Sequence, residues 1–262
     1  EEAEALLKQP QESRSKTAEP DKTFLAKAAE QFKTMYDPKW GGFGTAPKFP
    51  TPHNLLFLLQ YFMLERDAAV LKMVTRTLTQ MFRGGIFDHL GGGFSRYSTD
   101  EKWLVPHFEK MLYDNALLSL AYLETYRVTE DGFYRMVAER TLDYVMRELR
   151  DENGGFYCGQ DADSEGIEGK YYVFTKQEIY TVLGETDGTA FCRWFGINEQ
   201  GNFEGKNILN LLDNSRYAET DSYIEKLSHK LYGYRLNRTH LHKDDKVLTS
   251  WNALMIAALA KA

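Results

Sequence analysis

The side chains best suited to chemistry are concentrated between Asp88 and Asn115, in the stretch DHLGGGFSRYSTDEKWLVPHFEKMLYDN. This stretch combines three consecutive glycines, two histidines, an arginine, a tryptophan and several carboxylates. A connection between two helices does not need so many ionisable and aromatic groups. We therefore place the candidate site in this loop and at the start of the helix that follows it.

His107 and Glu109 follow Pro106, and proline is common at the first position of a helix. We predict that both lie in a first helical turn, where unpaired backbone N–H groups and the helix dipole create a positive potential. An imidazole stays neutral there and a carboxylate stays ionised, which suits a base or an anion-binding pair. Helical spacing would point His107 and Asp114 to the same side. The alternative is structural, with Glu109 as a cap and Lys110 paired with Asp114 on the surface.

The loop before this helix carries residues that suit a sugar, whose apolar face stacks on aromatic rings while its hydroxyl groups meet charged side chains. The predicted ligand-binding residues are Asp88, Arg96, Tyr97, Trp103, Glu109 and Asp114, and His89 joins His107 as a predicted acid or base. The alternative is that an Asp–Arg pair holds the loop in place. Gly91 to Gly93 permit positive φ and close approach to the backbone. They do not match a dinucleotide or phosphate-loop fingerprint, so nucleotide binding is not predicted.

The segment DADSEG, from Asp161 to Gly166, offers a second group of carboxylates. Asp161 and Asp163 can act as acid and base if their surroundings separate their pKa values. The alternative is a turn with solvated acids. The acids resemble the start of a calcium loop, but Tyr172 stands where that loop needs a bidentate glutamate. No metal site is predicted here.

A polar loop, THLHKDDKVLTS, precedes the last helix. Its two histidines are too unspecific a pattern for a metal, and a solvated loop is the interpretation we favour. Trp251 and Asn252 open the helix itself and are predicted to contact a ligand. Neither a metal nor a cofactor is predicted for the chain.

Apolar residues at helical spacing predict the elements that position these side chains. Asp21, Asp67 and Asp131 precede three of the helices and are predicted N-caps. The predicted helices cover about 23–36, 53–65, 67–82, 107–126, 131–150, 176–183, 187–195, 221–237 and 251–262.

Gly-Gly-Phe triplets recur between the helices at 41–43, 92–94 and 154–156, which is the spacing of a helical hairpin with its loops. The helix at 107–126 is apolar nearly all round in its second half, and that at 251–262 is similar, whereas 131–150 is two-faced, so buried and outer helices alternate. We predict a mainly α fold, a double-layered α/α barrel with a small β-containing excursion over 156–212. Its strands are expected in FYCGQD, KYYVFT and NILNLL.

Composition excludes several classes of protein. The 262 residues are 43% hydrophobic, which is ample for a packed core, and the formal charge is −6 without basic clusters, which argues against a nucleic-acid partner. The longest apolar run, Ala253 to Ala260, is too short to span a bilayer, and no signal peptide opens the chain. Cys158 and Cys192 are predicted to be small buried hydrophobes in a reducing compartment. We expect a soluble, cytoplasmic protein.

Four motifs in order, KFP, DHLGGGFSRYSTDEKWLVPHFEKMLYDNALL, DADSEGIEG and DDK followed by TSWNALMI, resemble a known family. The resemblance is to the C-terminal region of thioredoxin-domain-containing proteins, the family of the spermatogenesis-associated thioredoxin-domain protein. It implies an (α/α)6 six-hairpin toroid, as in six-hairpin glycosidases and N-acylglucosamine 2-epimerase-like proteins. Residues 1–20 would be the tail of a preceding domain and a linker, and 21–262 the first half or so of the toroid. The chain would then be a fragment.

The residues and the resemblance together lead to two expectations. The first is a carbohydrate-active enzyme, a sugar epimerase or isomerase or a glycosidase-like protein, with its site at the mouth of the barrel. The second is a non-catalytic binding or scaffold module that acts with an upstream thioredoxin-like domain in redox handling. A shared fold does not decide between them.

Overall fold

The computed structural model describes residues 22–262, and they are mainly helical. The predicted tail and linker and the predicted cap Asp21 lie outside these residues. Each of the nine predicted helices is present, although one begins later than expected. The helices are α1 Lys22–Met35, α2 Pro52–Glu65, α3 Ala68–Arg83, α4 Leu112–Thr129, α5 Gly132–Glu148, α6 Lys176–Leu183, α7 Glu185–Trp194, α8 Ser222–Arg238 and α9 Thr249–Lys261.

Two of the predicted N-caps are confirmed. The Asp67 carboxylate accepts a hydrogen bond from the Ala69 N–H at the start of α3, and the Asp131 carboxylate accepts one from the Phe133 N–H at the start of α5. Each bond satisfies a donor that the first helical turn leaves unpaired. These helices therefore begin where their sequences specify.

The helices form two layers. Helix α4 packs against both α2 and α9 as an inner helix, while α3 packs on α2 and α5 packs on α4 from outside. Leu118 and Tyr122 of α4 are fully buried, whereas α5 exposes Arg135 and Glu139. This alternation confirms the predicted mainly α fold, which is part of an α/α toroid.

Helices α6, α7 and α8 form a side group that packs together and joins the main core through Ile179, Phe191 and Leu227. The predicted strands in KYYVFT and NILNLL are wrong, because the two segments share only an isolated bridge between Phe174 and Asn207. The aromatic run is almost fully buried instead. Aromatic and β-branched residues favour strands only where a pleated surface is available to them.

The strands in the described residues are all short. They are β1 Tyr97–Ser98, β2 Pro106–His107, β3 Lys110–Met111, β4 Gly159–Gln160, β5 Asp163–Ser164, β6 Ile167–Glu168 and β7 Lys243–Asp244. Strands β1 and β2 form one antiparallel pair, β5 and β6 form another, and β3, β4 and β7 form an antiparallel sheet in that order.

The predicted helical position of His107 and Glu109 is wrong, because α4 begins only at Leu112. The backbone before it is paired with other segments: the Arg96 N–H donates to the Glu109 carbonyl, and the Leu112 N–H donates to the Cys158 carbonyl. Residues 106–111 are therefore extended, and the helix-dipole argument does not apply to His107 or Glu109.

Two of the Gly-Gly-Phe turns are held by the same pair of hydrogen bonds from an asparagine side chain. The Asn115 side chain accepts a hydrogen bond from the Phe94 N–H at 2.7 Å and donates to the Phe94 carbonyl at 3.0 Å. Asn252 makes the same two bonds with Phe156, at 2.7 and 3.0 Å. Each turn is thus fixed to the first turns of the inner helix behind it. The triplet at 41–43 differs, since the Gly42 N–H donates to the Thr77 hydroxyl.

Both cysteines are free and buried, as predicted. Within residues 22–262 none of the helices combines the length and the apolar character that crossing a membrane requires.

Candidate active site

Ionisable and aromatic side chains converge where the inner helices α4 and α9 begin. Strands β2 and β6 and the first turns of the two helices carry most of them. We call the following set the mouth cluster: Arg96, His107, Glu109, Tyr113, Asp114, Glu168 and Trp251.

A chain of contacts between charged and polar side chains runs through the mouth cluster. Arg96 Nη1 lies 2.9 Å from Glu109 Oε2, and His107 Nδ1 lies 2.7 Å from Glu168 Oε1. His107 Nε2 also lies 3.9 Å from Glu109 Oε2, so the two pairs are linked. The Arg96 side chain is 43% exposed and that of His107 29%, which leaves both groups accessible to a ligand.

Asp114 is the carboxyl of the cluster whose protonation is most perturbed. Burial raises its pKa to about 7, while Tyr113 and the positive charge of Arg96 act in the opposite direction and the Glu109 charge adds to the rise. Asp114 Oδ2 is buried and has no hydrogen-bond partner among residues 22–262. A carboxyl of this kind can accept or donate a proton near neutral pH.

Aromatic rings flank the charges. Tyr97 stacks on His107 with ring centroids 5.1 Å apart and on the exposed Phe49 at 4.8 Å. Tyr113 meets Trp251 edge to face at 4.7 Å. Flat apolar surfaces therefore border the polar groups, as in sites where a few polar groups orient a largely apolar contact.

The DADSEGIEG motif supplies Glu168 by folding into the β5–β6 hairpin. Glu165 and Gly166 at its tip both have positive φ, 55° and 75°, as in a tight two-residue hairpin turn. The register pairs Asp163 with Glu168. Neither Glu168 nor Tyr113 was predicted as a site residue. The two-residue Glu-Gly turn between short β-like runs is the signal that would have indicated a hairpin, although not its contact with His107.

The two aspartates of this motif lie elsewhere. Asp161 Oδ2 contacts His242 Nδ1 at 3.1 Å, and both side chains are at least half exposed. The Asp163 side chain is exposed, and Asp163 reaches the mouth cluster only through backbone pairing with Glu168. In the described contacts neither Asp161 nor Asp163 interacts through its side chain with His107, so the predicted combination of these acids with His107 is not formed.

Asp88 is buried in a different network. Its two carboxylate oxygens accept hydrogen bonds from Arg235 at 2.9 and 2.8 Å, and Lys110 Nζ lies 2.9 Å away. These two cations hold the pKa of Asp88 well below its usual range. The alternative prediction, that an Asp–Arg pair holds the loop in place, therefore applies to Asp88, and its partner is Arg235. The proposed surface pair of Lys110 and Asp114 is wrong, because Lys110 is only 1% exposed.

His89 and Trp103 are core residues. His89 lies among Phe82, Phe87 and Phe195, and burial together with the Arg140 charge lowers its pKa to about 3. Trp103 is fully buried, and its ring N–H donates to the Trp40 carbonyl at 2.9 Å. The structure thus does not bring His89 and His107 together as a pair of histidines, and Trp103 does not face the mouth.

Of the predicted site residues, the structure brings one group together and leaves the others apart. The residues that lie together at the mouth are Arg96, Tyr97, His107, Glu109, Asp114 and Trp251. The predicted residues that make separate contacts, described above, are Asp88, His89, Trp103, Asp161, Asp163 and Asn252. In the described part of the chain no three or more His, Cys, Asp or Glu side chains are grouped so that they could hold a metal ion.

The layered hairpins with a polar cluster at the inner helix ends define the class: an α/α toroid protein with a candidate site at its mouth. No family model matches the chain. It is 38% identical over 276 residues to spermatogenesis-associated protein 20 of Mus musculus and 38% identical over 269 residues to that of Homo sapiens, matches that cover 91% and 88% of the chain. The chain is homologous to a segment of spermatogenesis-associated protein 20 and spans about a third of these relatives, 35% and 34% of their lengths.

Similar solved structures include sugar-acting proteins. Cellobiose 2-epimerase from Bacillus thermoamylovorans B4167 gives a TM-score of 0.47 at 12% identity, with 92% of this chain and 72% of that chain covered. A D-mannose isomerase gives 0.44 at 14% identity, over 67% and 49% of the two chains. A family 76 glycoside hydrolase from a bovine Bacteroides thetaiotaomicron strain gives 0.41 at 12% identity, over 82% and 42%. Likeness at this level carries nothing about activity.

Proposed function

We propose that the mouth cluster is the active site of a carbohydrate-active enzyme that isomerises or epimerises a sugar by proton transfer. The observation that carries the proposal is Asp114, a buried carboxyl with an unpartnered oxygen beside Arg96 and bordered by aromatic rings. A base with a pKa near the working pH is the group that removal of a proton next to a carbonyl requires.

The other acids of the cluster favour proton transfer over hydrolysis. Glu109 is paired with Arg96, and Glu168 is paired with His107, which leaves Asp114 as the carboxyl of the cluster without an ion pair. Glycoside hydrolysis by the common route uses two carboxyl groups, one on each side of the scissile bond. A single carboxyl that forms no ion pair, beside a histidine and an arginine, fits isomerisation better.

Each residue then has a definite role in the proposal. The Asp114 carboxyl takes the proton from the carbon next to the sugar carbonyl, and the Arg96 guanidinium stabilises the negative oxygen that develops. His107, linked to Arg96 through Glu109, returns a proton. The Tyr97 and Trp251 rings contact the apolar face of the sugar.

The test is turnover by the intact protein on a panel of aldoses, ketoses and disaccharides, with solvent deuterium incorporation at the carbon next to the carbonyl as the readout. We expect Asp114→Asn to lower kcat by about 10² to 10⁴, the usual contribution of a general base. Asp163→Asn is the matched control, because that carboxylate is exposed and should leave turnover unchanged. Absence of turnover and of deuterium incorporation across the panel would reject the proposal.

A second candidate is a module that binds a sugar without reacting with it. It is favoured by the contacts that already engage Arg96 with Glu109 and His107 with Glu168. In this case calorimetry detects sugar binding while no deuterium is incorporated.

The two cysteines are poorly suited to redox chemistry. Burial raises the pKa of both thiols, that of Cys192 to about 11, and the reactive form is the thiolate. A role in redox handling would therefore fall to an upstream thioredoxin-like domain.

A further inference from the structure

A separate cavity of about 350 Å³ lies between α5 and α8 and shares no residue with the mouth cluster. The end of α7 and the loop from His89 to Gly92 close it. Its size is within the range of small-molecule sites, about 300 to 1,000 Å³. The lining residues that matter here are Met136, Arg140, Asp143, Trp194, Ile224 and Glu225.

Arg140 is the unusual residue of this cavity. Its guanidinium donates to the His89 carbonyl at 2.8 Å and lies 5.1 Å from the Phe87 ring centroid. Burial lowers its pKa while the negative charges of Asp88 and Glu225 act in the opposite direction, but within residues 22–262 no carboxylate comes within ion-pair distance of it. Arg140 is half-buried, and a partly desolvated guanidinium that no carboxylate contacts directly would be stabilised by an anionic group in the cavity.

Two carboxylates that line the cavity have no ion-pair partner in the described part of the chain: Glu225 on α8, and Asp143 on α5, the helix that carries Arg140. Glu225 lies close enough to raise the pKa of Arg140 but forms no ion pair with it, and Asp143 forms none in the described part of the chain. Other charged residues that line the cavity already form ion pairs. Glu219 and Asp221 pair with Arg216, and Arg147 pairs with Glu148. One cation and two carboxylates are therefore available to a ligand.

We propose that this cavity binds a small zwitterion, namely an α-amino acid with an apolar side chain. Its carboxylate pairs with Arg140 and its ammonium group with Glu225 and Asp143. An amino acid carries both charges on one carbon, so it bridges a cation and an anion that are near each other but not in contact. Met136 and Ile224 provide the apolar contact for its side chain.

The experiment is calorimetric titration of the intact protein with L-leucine, N-acetyl-L-leucine and L-leucinamide. The second probe lacks the ammonium group and the third lacks the carboxylate. We expect leucine to bind, and each of the other two to bind about tenfold or more weakly, because each loses a charge-assisted interaction.

Arg140→Met and Glu225→Gln should each weaken leucine binding by about tenfold or more. Arg135→Met is the matched control: it removes the same charge from the same helix at an exposed position and should bind leucine as the wild type does. Circular dichroism verifies that the variants are folded, and Glu225→Gln serves as the test if Arg140→Met is not. No binding of leucine to the wild type, or equal binding of all three probes, would overturn the proposal.

Discussion

Replacing Asp114 with asparagine should change how the stability of the protein depends on pH. In the folded protein the pKa of Asp114 is raised from 3.8 to about 7, mainly by burial. Between these two pH values the folded state holds a proton that the unfolded chain has released. Raising the pH through this range therefore favours unfolding, so the contribution of Asp114 to stability is lost as pH rises from about 4 to about 7.

The size of this effect follows from the shift. Roughly three pKa units correspond to about 4 kcal/mol of unfolding free energy. Solvent screening is weak because Asp114 is only 7% exposed. Asparagine has no proton to release, so the unfolding free energy of Asp114→Asn relative to the wild type should rise by up to about 4 kcal/mol between pH 4 and pH 8.

The assay is urea unfolding at several pH values, with the difference between variant and wild type plotted against pH so that other carboxylates cancel. Asp163→Asn, at an exposed position, is the control that should follow the wild type. If the profiles of Asp114→Asn and the wild type run parallel from pH 4 to pH 8, Asp114 does not have the raised pKa, and its role as a base near neutral pH is refuted as well.

Three further changes test other parts of the structure. Arg235→Met leaves Asp88 buried beside a single cation and should lower the unfolding free energy by about 3 to 5 kcal/mol, measured by urea denaturation; a loss below 1 kcal/mol would contradict the buried pair. Asn115→Ala removes both bonds to the Phe94 backbone and should cost about 2 to 4 kcal/mol, with faster hydrogen exchange at the Phe94 amide as the specific readout. Gly166→Ala places a side chain at φ 75° in the β5–β6 turn and should cost about 1 to 2 kcal/mol by the same denaturation measurement; no loss would mean that the turn is not held in this conformation.

The helices were predictable because their signals are local. Asp67 and Asp131 lie next to the backbone groups that they cap, and the apolar faces follow the helical period. The inner position of α4 was also predictable, since a helix that is apolar almost all round can only be buried.

The start of α4 was not predictable in the same way. Pro106 is compatible with a helix and with a strand, and the choice depends on pairing with Tyr97–Ser98 and with Cys158, which the local sequence does not specify. The same limit applied to KYYVFT, whose aromatic side chains pack inside the protein instead of forming a strand.

By itself the sequence determined the mainly α fold and its layering, because hydrophobic period, caps and glycine turns act over a few residues. Only the tertiary structure decided which charged groups meet. Asp88 pairs with Arg235, 147 positions away, and His107 with Glu168, 61 positions away. These contacts depend on how distant elements pack, and that packing buries Asp88 and His89 while leaving Arg96 and His107 accessible at the mouth.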